Sequence, residues 1–320
     1  MYPLTFQPIY KERLWGGAKL KTLLGKAIPD QTTGESWEIS AVKDNVSVVT
    51  NGHFKGTSLQ ELVDTYPEQL LGKRIFNRFG TAFPILIKFI DAREKLSIQL
   101  HPDDTLAQKR HGSFGKTEMW YIMQANPGAQ LIIGFNNTIG KATYQQHLKN
   151  NTLLQVLHHE TVKEGDAFFI RPGKVHAIGE GILLAEIQQT SDITYRIFDF
   201  NRKDKDGKLR ELHTELALEA IDYEQKDDFK CTYIKKPNTP DTVASCPYFT
   251  TKYLHITNEV KRNFAARDSF TIYMCTEGSV TLSIGNTETS LKKGDTILIP
   301  AAIHEITLHT THAVVLEVYI

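Results

Sequence analysis

The feature that most constrains this chain is a weak internal repeat. Residues 164–178 read EGDAFFIRPGKVHAI, and residues 293–307 read KGDTILIPAAIHEIT. Each has Gly-Asp, a short run of mostly β-branched or aromatic residues, a proline, and then a histidine followed by apolar positions. Gly-Asp supplies a turn, the apolar run a buried strand, and proline a stop that offers no ladder hydrogen bond. Each copy reads as strand, turn, strand, with histidine on the returning strand. Two copies of such a unit predict two β-barrels of one type.

The flanking segments agree. FPILIKFI, KLSIQL, MWYIMQA and AQLIIGF precede the first copy, and FTTKYLHIT, FTIYMCTEGSVTLSIG and AVVLEVYI surround the second. All are short, rich in β-branched and aromatic residues, and separated by Gly, Asn, Asp or Pro, the pattern of an antiparallel barrel or jelly roll. Helical periodicity is confined to three stretches. TSLQELVDTYPEQLL has Ser58 as its N-cap, and KATYQQHLKNNTLLQVL and LRELHTELALEAIDYE follow later. The predicted fold is mostly β with helical insertions. Residues 224–248, with their charges and prolines, read as a connector between the barrels. KDKDGK at 203–208 lacks the remaining ligands of a calcium loop and reads as a solvated hairpin or turn.

Charge narrows the possible partners. Lys plus Arg and Asp plus Glu are 37 each among 320 residues, so no global field gathers nucleic acid or anionic lipid. A charged ligand must be held by a local cluster. No apolar run reaches the roughly 18 residues of a membrane span, and the N-terminal MYPLTFQPIYKERLW lacks a signal-peptide core, which makes the cytoplasm the expected address. Cys231, Cys246 and Cys275 have no paired spacing and read as core thiols.

Among twelve histidines, context singles out His101 and His176. Gln99 and His101 in KLSIQLHPDD are one residue apart, so a strand projects both from one face. Glu118 in GKTEMWYI opens the next strand, with Lys116 two residues earlier, and His176 comes from the repeat. One amide oxygen, two imidazoles and one carboxylate suit a borderline divalent ion such as zinc, with a position left open. The plainer alternatives are a His-Pro-Asp loop cap and a Glu–Lys surface pair. The second repeat keeps His304 but has no Gln-x-His strand, so the C-terminal barrel is expected to be metal-free.

PILIKFIDAREKLSIQLHPDD, KTEMWYI, PGKVHAIGEGILLAEIQQTSDITYRIFDFNR and the early RLWGG and GESWEIS resemble the type I mannose-6-phosphate isomerases, or phosphomannose isomerases, of the short bacterial form. The resemblance runs through most of residues 1–220. It implies a double cupin, with residues 1–223 the catalytic domain, 224–248 the connector and 249–320 a second cupin barrel. It also implies one Zn2+ per chain and interconversion of mannose 6-phosphate and fructose 6-phosphate. Carried over position by position, the family's zinc ligands fall on Gln99, His101, Glu118 and His176, its catalytic arginine on Arg196 and its active-site lysine on Lys116. Ser97 and Lys88 match positions associated with phosphate or substrate contact. Longer members carry Thr-Pro-Lys after the arginine, whereas here IFDFN leads to Arg202.

Such an isomerisation moves a proton between two carbons through an enediol, so it needs a polarised carbonyl and fixed positive charge where oxyanions develop. Arg196 and Lys116 supply that charge, and Lys88, Ser97 or Arg202 are candidates to hold the phosphate. The proton carrier stays open among Lys116, a metal-bound water and Glu186. Arg196 could instead pair with Asp192 or Asp199, and Lys88 could be a snorkelling surface lysine. Trp15 and the Glu35–Trp37 strand read equally as packing or as pocket wall. A non-catalytic cupin binding a phosphorylated sugar, or an iron-dependent cupin oxygenase, are the competing functions; the second has no need of Lys116 and Arg196. The oligomeric state is not legible.

Overall fold

The computed structural model describes residues 1–204, 206–227 and 229–320. Three adjacent antiparallel strands, Ile85–Ala92, Ile182–Gln189 and Glu118–Ala125, are buried at nearly every position. They form the middle of a six-stranded sheet, completed by Thr33–Ile39 and Ile9–Glu12 on one side and Ala167–Ile170 on the other. A strand buried on both faces must be apolar on both, which is why FPILIKFI and ILLAEI run almost without polar interruption. A five-stranded sheet, ordered Tyr195–Phe198, Ile98–Leu100, His176–Ile178, Gln130–Phe135 and Leu157–Thr161, faces it and closes the first barrel.

Alternation assigns each side chain to a layer. Ile90, Trp120, Ile122, Ile182 and Leu184 meet Leu131, Ile133 and Ile178 of the facing sheet inside the barrel. Ile85, Ile87, Phe89, Met119, Tyr121, Ala185 and Ile187 point the other way and join Phe249, Phe270, Ile272, Leu298, Leu316 and Val318 of the second barrel. One continuous core thus cements the two barrels. The far face of the five-stranded sheet, with Ile98, Leu100, Tyr195 and Ile197, is covered by Tyr144 and Ala217 from two helices.

Those helices are Lys141–Lys149 and Thr214–Ala220, both shorter than the periodic stretches that predicted them. The first stops where Asn151 takes a left-handed conformation (φ 56°) before a single 3-10 turn, Leu153–Val156. Ser58 caps Leu59–Thr65 as expected, in a reciprocal capping box with Glu61. That helix, with Pro67–Leu71 and Lys73–Phe79, fills the side of the interface between the barrels. No described helix is long and apolar enough to cross a membrane.

The second barrel is built around one 14-residue strand, Thr271–Ile284, which pairs with Ala313–Tyr319, Glu305–His309, Thr287–Lys292 and Thr296–Ile299. It bends at a bulge after Cys275, where Gly278 has φ 68° and a Cβ would stand 2.3 Å from the His312 carbonyl oxygen. Residues 224–248 are more than a connector. Asp241–Ser245 forms an edge strand on Thr250–Ile256. An edge strand is exposed along one side, so a polar sequence such as DTVAS can supply it.

Both repeat copies form the expected strand, turn and strand. In the first, Ala167–Ile170 leads through the Pro172-Gly173 turn to His176–Ile178. Gly173 has φ 82°, a Cβ there would meet the Ala220 carbonyl at 2.5 Å, and its N–H donates to His101 O at 2.8 Å. In the second, Thr296–Ile299 returns as Glu305–His309, with His304 one residue ahead of the strand and exposed.

Inside the second barrel Glu317 is fully buried. It accepts bonds from Arg262 (2.8 and 2.9 Å), Arg267 (2.7 Å) and the Tyr273 hydroxyl (2.6 Å). Burial works to raise its carboxyl, but Arg262, Arg267 and Tyr273 hold it at about 2. Its stabilisation is complete above the ordinary value of 4.5 and is lost as pH falls through about 2, a contribution of about 3 kcal/mol. Glu317→Gln is expected to lower unfolding free energy by at least that amount at pH 7. Urea unfolding should show the gap from wild type shrinking by roughly 2 kcal/mol by pH 3; a gap independent of pH would contradict the assignment.

Candidate metal centre and sugar-phosphate cavity

Two rows of cross-strand neighbours face each other inside the first barrel. On the five-stranded sheet, Arg196 pairs with Gln99 and Gln99 with His176, so the three side chains share one face. On the six-stranded sheet the row is Trp37, Lys88, Glu186 and Trp120. Between them lies a cavity of about 430 Å³ that both rows line.

At one end His101, Glu118 and His176 converge, each almost completely buried. His101 Nε2 is 3.5 Å from Glu118 Oε2, and His176 Nε2 is 3.4 Å from Oε1. Each imidazole donates through Nδ1 to a carbonyl at 2.8 Å, Ile193 O for His101 and Lys174 O for His176. A carbonyl only accepts, so Nδ1 carries the proton and Nε2 presents a lone pair to the cluster. Both Nε2 atoms and both Glu118 oxygens lack a hydrogen-bond partner. Four buried polar atoms left so would cost several kcal/mol, at about 1–3 kcal/mol each. A divalent cation bound among them removes that cost, and the donor set fits one.

The protonation states suit a cation too. Burial, helped by the Lys116 ammonium, pushes His101 down to about 3 and burial also lowers His176, so both rings are neutral at pH 7. Burial alone would raise Glu118, but Lys116, 3.3 Å from Oε2, holds it well below the carboxylate range.

Along the cavity floor charges alternate. Arg13 grips Glu35 (2.9 and 3.2 Å), and Lys88 pairs with Glu186 at 2.9 Å. Burial works against the Lys88 ammonium, yet Glu186 and Glu35 raise its pKa, so Lys88 is a fixed charge and not a snorkelling surface lysine. Burial likewise opposes Glu35 ionisation, and Lys88 and Arg13 overcome it, leaving the carboxyl at about 2. Trp37 and Trp120 donate indole N–H bonds to Glu35 (2.6 Å) and Glu186 (2.8 Å). With Trp15, these are all three tryptophans of the chain, and all line this cavity.

The family model described as "Phosphomannose isomerase type I, catalytic domain" matches residues 4–147, and "Mannose-6-phosphate isomerase, cupin domain" matches residues 239–319. The mannose-6-phosphate isomerase of Streptococcus mutans is 36% identical over 302 residues, covering 94% of this chain and 93% of that protein. ManA of Bacillus subtilis is 36% identical over 319 residues, covering 96% and 95%. The chain belongs to the type I phosphomannose isomerases. The crystal structure of the Bacillus subtilis mannose 6-phosphate isomerase superposes with a TM-score of 0.91 at 33% identity over 99% of each chain, and the fold is the double cupin of that family.

The structure brings eight of the nine predicted site residues of this isomerase to the cavity or the metal cluster. Gln99, Lys116, His176, Ser97, Lys88 and Arg196 line the cavity, and His101 and Glu118 complete the cluster. Arg202 does not reach it. Its guanidinium is spent on Asp199 and the Lys95 carbonyl, and Arg210 lines the cavity in its stead. Arg196 pairs with neither Asp192 nor Asp199; it donates to Ser97 Oγ (3.3 Å) and Glu211 O (2.9 Å). Arg13 and Arg210 escaped the sequence reading. For Arg13 the alternation of Glu35 and Trp37 on one strand face was the available signal, and for Arg210 there was none.

Because both rings are neutral and Glu118 is ionised before any ion arrives, uptake of a divalent cation at pH 7 is expected to release fewer than about 0.5 protons per site. Calorimetry in buffers of different ionisation enthalpy measures this. Release of one proton or more would show that a histidine is charged in the empty site.

Proposed function

We propose that the protein interconverts mannose 6-phosphate and fructose 6-phosphate through an enediol, with zinc held by Gln99, His101, Glu118 and His176. The observation that carries the reading is the cluster of four orphaned donor atoms at the end of a cation-rich cavity. A nitrogen and oxygen donor set suits zinc, and Gln99 is the cross-strand neighbour of His176 on the cavity face. When bound, zinc supplies Lewis-acid polarisation of the sugar carbonyl.

The chain's own residues account for the rest. Lys116 places an ammonium beside the cluster, where the oxygens of an enediolate gather charge. Lys88, kept protonated by its carboxylate neighbours, contributes charge and not basicity. The proton carrier is drawn from Lys116 and Glu186, both on the cavity wall within reach of a bound sugar. The three tryptophans offer flat apolar faces to the carbon skeleton and keep the floor dry around the Arg13–Glu35 and Lys88–Glu186 pairs. Arg196, which no carboxylate pairs among the described residues, supplies fixed positive charge to the anionic substrate.

Purified protein with mannose 6-phosphate and coupled detection of fructose 6-phosphate, before and after chelation, tests the reading. Turnover that chelation abolishes and zinc restores is expected; a fully loaded protein without turnover would overturn it. Arg196→Ala should retain metal and lose about 10²–10³ in kcat/KM, the scale of one lost electrostatic contact. His176→Ala should lose metal first and activity with it.

A further inference from the structure

Three arginines gather about one carboxylate on the Arg196 side of the cavity, with Gln99 between Arg196 and His176. Asp199 accepts a bidentate pair from Arg210, Nε at 2.7 Å and Nη2 at 2.6 Å, and a further bond from Arg202. Arg196 lies against them closely enough that, after burial, Arg210 is the main influence lowering its pKa. Arg196, Arg202 and Arg210 against Asp199 leave a net charge of +2. Arg196 bonds through Nε and Nη1 and Arg210 through Nε and Nη2, so among the described residues Arg196 Nη2 and Arg210 Nη1 have no acceptor. Both side chains line the cavity.

The local fold is built to deliver Arg210. After Tyr195–Phe198 the chain turns through Phe200 and Asn201, both left-handed at φ 56°, an arrangement that costs on the order of 1 kcal/mol or more per residue. It then doubles back in a hairpin. Lys203 bridges Leu209, Asp204 N donates to Lys208 O, and the Asp204 carboxylate takes the N–H groups of Asp206 and Lys208. This is the turn expected for KDKDGK, of which Lys205 lies outside the described residues. The hairpin sets Arg210 beside Asp199, and Arg202, bonded to Lys95 O on the adjoining segment, fixes Asp199 from behind.

We propose that Arg210 is a ligand of the substrate's phosphate, closing on it together with Arg196, and that Asp199 is the residue that positions it. The inference rests on the sugar-phosphate reading given above and names the residue at its anionic end. Spacing supports it. Arg196 and His176 stand two strands apart in one row, about 10 Å at 4.7–4.9 Å per strand. That separation is comparable with an extended six-carbon chain carrying a terminal phosphate, so the phosphate can sit at the arginines while the reacting carbons lie at the metal cluster. With the exposed Glu211 and the cavity-lining Asp192 beyond it, the arginine group remains the cationic part of the wall, and two open guanidinium edges match the oxygens of a phosphate.

The test uses the zinc-loaded enzyme and three variants, Arg210→Gln, Arg210→Lys and Asp199→Asn. Arg210→Gln is expected to raise KM for mannose 6-phosphate about 30-fold with kcat within about threefold, and to weaken competitive inhibition by inorganic phosphate in the same proportion. Arg210→Lys, which keeps charge but not the fork, should fall between, and Asp199→Asn should raise both constants with Arg210 intact. A fall in kcat with KM and the phosphate inhibition constant unchanged would overturn the inference, as would no change in any of them. Calorimetric binding of inorganic phosphate separates the two readings. If wild type fails to isomerise mannose 6-phosphate but binds phosphate through Arg210, the anion site stands and the isomerase reading falls.

Discussion

Burial of three adjacent strands on both faces is the constraint on which the rest depends. Ile85–Ala92, Glu118–Ala125 and Ile182–Gln189 give one set of alternate side chains to the junction between barrels and the other to the cavity. The cavity set contains Lys88, Glu118 and Glu186; the junction set on these strands carries no charge along its middle, with Asp91 and Gln189 only at its ends. A slip of one residue would drive these charges into the junction, where an unpaired buried ion costs several kcal/mol, and would put Ile87 or Ile187 into the cavity. The register is therefore enforced from both sides, and the chemistry inherits its placement from it.

Inside the cavity the same economy applies to charge. Most ions are neutralised by a partner on a neighbouring strand or segment: Arg13 by Glu35, Lys88 by Glu186, Lys116 by Glu118, Arg210 by Asp199. Two departures remain. One is the cluster of orphaned histidine and carboxylate atoms, deficient in hydrogen-bond partners. The other is the arginine group around Asp199, deficient in negative charge. A cation would answer the first and an anion the second, so a chain neutral as a whole offers two oppositely directed sites.

The sequence showed best what depends on local alternation. Gln99 and His101 could be placed on one face because a strand permits nothing else, and the repeat marked both barrels because turn, strand and proline are local signals. The string matches to the family assigned Lys116 its role and added Arg196. What stayed hidden depends on contacts between distant segments. Arg202 was read as a pocket residue from its closeness to Arg196, but two consecutive left-handed residues turn the chain there and send Arg202 toward Lys95. Arg210 enters by way of Asp199, eleven positions earlier, a pairing no periodicity announces. Polar DTVAS was absorbed into a connector because an edge strand needs no apolar alternation on its open side.

The junction between barrels also includes the first residues of the chain. Leu4 exchanges two backbone hydrogen bonds with Leu298, 2.8 and 2.9 Å, and packs in the shared core. A ribosome delivers Leu4 long before Leu298. Once Ile187 has emerged, every residue of the His101–Glu118–His176 cluster is present, but the apolar face formed by Ile85, Ile87, Phe89, Met119 and Ile187 still lacks Phe249, Phe270, Ile272, Leu298, Leu316 and Val318. The protein can assemble its chemistry early but cannot hide its stickiest surface until the second barrel arrives. Its vulnerability to misassembly is therefore concentrated in the interval between the making of the first barrel and of the second.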